Sequence, residues 1–115
     1  MHSETERLAL QGISENIALA RTFVAGMTFA EFKADRRTVY AVTRCLEIIS
    51  EASRRLGAEL KERHAEIDWI KVAASGNIYR HGYRVVSDEI LWNTVENSLG
   101  RLGEIVEGEL SQLRK

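Results

Sequence analysis

Between Val39 and Leu60 the apolar residues keep a seven-residue rhythm. Val39, Val42, Leu46, Ile49, Leu56 and Leu60 recur at steps of three and four, with Ser53 in the one polar seat. Only a helix puts such positions on one face; a strand would alternate them between two. Cys45, Ile48 and Ala52 widen the stripe, so this helix faces more than one neighbour and belongs at the centre of a bundle. Gly57 falls inside the pattern and marks a kink or an end. The chain has no proline, so no residue of that kind interrupts a long helix.

The rhythm returns on either side. Leu10, Ile13, Ile17, Ala20 and Val24 form a first stripe, opened by a capping box at Ser3 and Glu6 and stopped at Gly26. Thr28 and Glu31 form a second capping box, with Met27 and Phe32 at the staple positions, and open a short helix. Asp35 breaks it and caps the central helix. Arg63-His64-Ala65 is a link to a helix begun by Asp68, Trp69, Ile70 and Ala73. Ser87 caps the last helix, whose stripe is Leu91, Val95, Leu99, Leu102, Val106, Leu110 and Leu113. No stretch alternates as a strand does. The expected fold is all-α: an up-down helical bundle of four main helices plus one short helix, a single domain over residues 1–115.

Composition narrows the function classes. With 16 basic and 17 acidic residues the net charge is −1, so any surface for anions must be a local patch. The single Cys45 excludes an intramolecular disulfide and reads as a small core residue. A polar N-terminus and the lack of a long apolar run point to a soluble, cytoplasmic protein that does not enter the membrane. The three His and one Cys have no metal-ligand spacing, and no glycine-rich phosphate loop is present, so neither metal nor cofactor is expected.

Chemically able groups gather in Ser75-Gly76-Asn77-Ile78-Tyr79-Arg80-His81-Gly82-Tyr83. On a helix Asn77 and His81 lie one turn apart on one face, and Tyr79 and Tyr83 on a neighbouring face with Arg80 between them. Two chemistries suit this set. In phosphodiester cleavage His81 moves protons between the ribose 2′-hydroxyl, the phosphate and the leaving oxygen, while Arg80 stabilises the growing charge. In nucleotide or anion binding without turnover, Arg80 and Arg84 supply charge and the two tyrosines stack on bases. Glu47, Glu51, Arg54 and Arg55 fall three and four apart, as a solvated salt-bridged face does; alternatively Glu47 or Glu51 orients a basic site residue.

The run Val42-Thr43-Arg44-Cys45-Leu46-Glu47-Ile48-Ile49-Ser50-Glu51-Ala52, followed by Ile67-Asp68-Trp69 and by Gly76-Asn77-Ile78-Tyr79-Arg80-His81-Gly82-Tyr83, resembles the HepT-like proteins of the HEPN superfamily. The resemblance covers nearly the whole chain. It implies a helical homodimer that acts as a metal-independent endoribonuclease toxin, of a type VII-like toxin–antitoxin system. The implied partner is a small nucleotidyltransferase antitoxin that silences the toxin by attaching AMP to a tyrosine. The family motif is Arg, four residues, His, one residue, Tyr. It places the catalytic His at His81, the modified Tyr at Tyr83 and the polar residue after the Arg at Asn77. The motif Arg falls on Gly76, which has no side chain to offer a phosphate. Arg80 takes over the role, or Arg44 or Arg84 enters the site, or the chain is a binding module that keeps the fold and docks a nucleotide or the nucleotidyltransferase without cutting. RNA is the expected substrate, with Tyr79 and Arg84 among its contacts.

Overall fold

A computed structural model describes residues 3–81 and 87–113, and the side chains of 3–76 and 87–113. Their regular structure is helical throughout: α1 (Glu4–Val24), α2 (Phe29–Ala34), α3 (Arg36–Ser53), α4 (Ala58–Arg63), α5 (Trp69–His81), α6 (Asp88–Asn93) and α7 (Leu99–Leu113), with a π-helical turn, Thr94–Ser98, carrying α6 into α7.

Short-range chemistry sets most helix starts. The Ser3 hydroxyl accepts the Glu6 amide at 3.0 Å. Thr28 and Glu31 make the full reciprocal capping box, and Phe32, at the staple position, is completely buried. Asp35 accepts the Thr38 amide at 3.2 Å and its hydroxyl at 2.8 Å, which holds the Asp35 carboxyl below its ordinary range. Ser87 caps α6 through the Ile90 amide, and Asp88 pairs with Arg36 at the start of α3. Gly26, at φ +77°, supplies the left-handed turn that ends α1.

The stripes meet as their spacing implies. Leu10, Ile13, Ile17, Ala20 and Val24 of α1 are buried, as are Val39, Val42, Cys45, Leu46, Ile49 and Ala52 of α3. Leu91, Val95, Leu99, Leu102, Val106 and Leu110 complete the core. α3 is central: it packs on α1, α2, α5 and α6. α2 rests on α6 through Phe32 and Trp92, whose rings are 5.4 Å apart. Burying such a side chain is worth roughly 1.5–3 kcal/mol.

Two departures from the sequence reading are local. First, α3 ends at Ser53, and Leu60 belongs to α4, so there are two short helices rather than one. After Ser53 the amides of Arg54, Arg55 and Leu56 bond to carbonyls three residues back, tightening the last turn. Gly57 is then extended, and its amide is taken by the Glu6 carboxylate of α1. The stripe survives the break, since Leu56 and Leu60 remain buried. Second, the last helix contains the π turn, where the Leu99 amide bonds to the Thr94 carbonyl. Among the described residues, no helix is long and apolar enough to cross a membrane.

Candidate functional site

The described part of the stretch rich in functional groups, Ser75 to His81, lies on α5. Asp68 opens this helix by accepting the Lys71 amide at 3.1 Å, and the buried Trp69 donates its indole N–H to the His64 carbonyl at 3.0 Å. Its backbone is helical through His81, which carries Asn77, Tyr79, Arg80 and His81. The side chains of those four residues, and Gly82, Tyr83 and Arg84 altogether, lie outside what is described.

At about 100° per residue, the helix deals the candidates into three rows. Asn77 and His81 continue the row of Ile70 and Ala74, and Ile70 is 85% exposed. Arg80 continues the row of Trp69, Ala73 and Gly76, which meets α3. Tyr79 continues the row of Asp68, Val72 and Ser75, which lines a cavity. Asn77 and His81 therefore share a row, as the four-residue spacing implies; Arg80 falls on the adjacent row, and Tyr79 falls on the far side of the helix and not on a neighbouring face.

Gly76 packs against Ser50 of α3. Its amide donates to the Ser50 hydroxyl at 2.8 Å, and that hydroxyl donates to the Ala73 carbonyl at 3.0 Å. Ser50 is 1% exposed. A Cβ added at Gly76 would lie 2.5 Å from the Ser50 Oγ and 3.1 Å from its Cβ. A side chain at this position therefore needs the Ser50 hydroxyl to turn away and its Cβ to give by a few tenths of an ångström. Gly76 thus packs closely on Ser50.

α3 carries the nearest charges. Glu47 pairs with Arg44 of its own helix, and Glu51 with Arg55, just past the helix end, at 3.2 Å. Arg54 behaves differently. Its Nη2 reaches across to the Ala73 carbonyl on α5 at 2.8 Å. Ser50 opposite Gly76 and Arg54 opposite Ala73 make the two helices antiparallel. Sequence spacing gave no reason to separate Arg54 from Arg55; only the crossing of α5 does so.

A second flank of α5 borders a cavity among the described residues, to which Leu46, Ile49 and Ser50 of α3 also contribute. The cavity, of about 730 Å³, separates α5 from the α6–α7 run, with Ile49 and Leu102 among its apolar walls and Ser75, Thr94 and Asn97 among its polar ones. Thr94 and Asn97 come from the π turn, which sequence patterning does not reveal. Away from α5, the buried Glu109 binds Arg63 and His64, each at 2.8 Å, and that contact raises the Arg63 pKa. Burial pushes the Cys45 thiol up. Among the described residues, no three His, Cys, Asp or Glu side chains converge as metal ligands.

Comparison with known proteins adds a lineage to this geometry. The family model described as "Ribonuclease HepT-like" matches residues 13–108. A Thermococcus cleftensis protein named "Probable ribonuclease HepT" is 36% identical over 106 residues, covering 92% of this chain and 93% of its own. A Methanocaldococcus jannaschii protein named "Putative RNase MJ0127" is 33% identical over 116 residues, covering 95% and 96%. No solved structure matches the chain significantly.

Proposed function

The chain belongs to the ribonuclease HepT-like family, and from that premise we propose that it is an endoribonuclease of toxin type. His81 is the general acid and base, and Arg80 takes the place of the motif Arg. The RNA supplies its own nucleophile, the 2′-hydroxyl, so the reaction needs no metal. His81 takes the 2′-hydroxyl proton and returns one to the leaving oxygen, while Arg80 neutralises charge growing on the phosphate. Asn77 positions the substrate, with Tyr79 and Arg84 as further RNA contacts. Tyr83 both contacts RNA and accepts AMP from a nucleotidyltransferase antitoxin.

The observation that carries this reading is the register of α5. Asn77 and His81 share a row with the exposed Ile70, and Arg80 lies on the adjacent row toward α3. A phosphate at that edge of α5 is within the compass of both rows. Gly76 brings no side chain to the motif position, and Arg80 is the arginine nearest His81 in sequence. A homodimer is part of the proposal; the exposed Leu8, Leu19 and Phe23 on α1 are apolar surface suited to it.

The test is RNA cleavage in EDTA by wild type, His81→Ala and Arg80→Ala. Cleavage by wild type and loss of at least a hundredfold in both variants is the expected result. Loss in His81→Ala alone moves the phosphate role to another arginine. An AMP-free wild-type protein that cuts no RNA favours the second reading, a binding module for a nucleotide or for the nucleotidyltransferase. The specific feature favouring that reading is the glycine at the motif Arg position.

A further inference from the structure

We propose that Arg54 is a second phosphate contact for the RNA strand, supplied by α3 and set two helical turns from His81 along α5. The inference rests on the ribonuclease reading and deepens it, by giving the strand a path.

Four observations lead there. Arg36 and Arg44 on α3, and Arg55 just past its end, pair with the carboxylates of Asp88, Glu47 and Glu51. Arg54 is exposed, and among the described residues its side chain's one bond goes to a neutral carbonyl, that of Ala73. That carbonyl already receives the Ser50 hydroxyl at 3.0 Å, so its need for a partner does not explain the arginine. The bond instead fixes one arm of a guanidinium that has five donors, and leaves the rest of the fork for a ligand.

The position completes the argument. Ala73 lies on the row of Gly76 and Arg80, next to the row of Asn77 and His81. At about 1.5 Å per residue, Ala73 lies about 12 Å from His81 along the axis. A short single-stranded segment spans that distance and has a phosphate at every nucleotide. With a net charge of −1, the chain has no general attraction for RNA, so each local cation counts. Arg54 and position 80 both lie where α5 meets α3, and a strand following that edge from His81 passes Arg54.

The experiment measures binding of a fluorescently labelled single-stranded RNA of about 12 nucleotides across a KCl series. The protein is full-length, in a His81→Ala background so that the strand stays whole. Arg54→Gln retains a donor for the Ala73 carbonyl and loses the charge; Arg54→Lys retains the charge. The expected result is binding weakened about tenfold in Arg54→Gln and a salt dependence shallower by about 0.7 in logarithmic slope, with Arg54→Lys close to the parent in slope. In the cleaving protein Arg54→Gln raises KM and leaves kcat within about twofold. Parent-like affinity and slope in Arg54→Gln would overturn the proposal and leave the ribonuclease reading intact, provided wild type cleaves. If Arg54→Gln lowers kcat with KM unchanged, Arg54 merely positions α5 and the proposal also falls. If neither the parent binds nor wild type cleaves, both readings fall together.

Discussion

The two flanks of α5 are built on opposite plans. Toward α3 the packing is tight, and one buried hydroxyl, that of Ser50, joins an amide and a carbonyl of α5. Toward the α6–α7 run there is a cavity of about 730 Å³. The helix that carries the candidate site is thus held firmly on one side and given space on the other. The closed flank fixes where Gly76 and the rows of Asn77, Arg80 and His81 stand relative to α3. The open flank lets the Tyr79 row, with Val72 and Ser75, border a space large enough for a ligand.

Substitutions on the two flanks test that contrast. Gly76→Arg has the largest expected effect. It forces a Cβ into Ser50 and brings a charge into the helix contact, so it costs about 3 kcal/mol or more in urea denaturation. Restoring the motif letter therefore lowers activity; adding Ser50→Gly, which removes both clashing atoms, recovers part of the lost stability. Ser50→Ala comes next. It leaves the buried Gly76 amide without its hydroxyl partner, at about 1–3 kcal/mol, and hydrogen exchange at that amide accelerates accordingly. Ser75→Leu, one residue from Gly76 but facing the cavity, changes stability by less than about 1 kcal/mol. A loss at Ser75→Leu as large as that at Gly76→Arg would show that the open flank is not open.

The sequence exposes one part of this design and hides another. Stripes such as Leu10–Val24 and Leu91–Leu113 read correctly because their period is that of the helix and their burial follows from it. The shared row of Asn77 and His81 is legible for the same reason. What stays hidden depends on partners far along the chain. The end of α3 is fixed in part by Glu6, 51 residues from Gly57. In sequence Gly76 looks like a lost arginine; Ser50, on which it packs, is 26 residues away. Arg54 and Arg55 look alike as a solvated pair until α5 crosses one of them. The cavity follows from how α5 stands off the last helix, and the π turn that lines part of it leaves no mark in the hydrophobic pattern.

Cys45 gives the molecule a built-in clock. It is the sole thiol, 4% exposed, and it lies on α3 five residues before Ser50. With its thiol pushed up by burial, it reacts with a disulfide reagent only when α3 lifts away from its neighbours. The reaction rate therefore counts those openings without any added label. Followed while RNA or a partner binds along α5, the same rate reports whether occupancy of the site steadies the helix behind it.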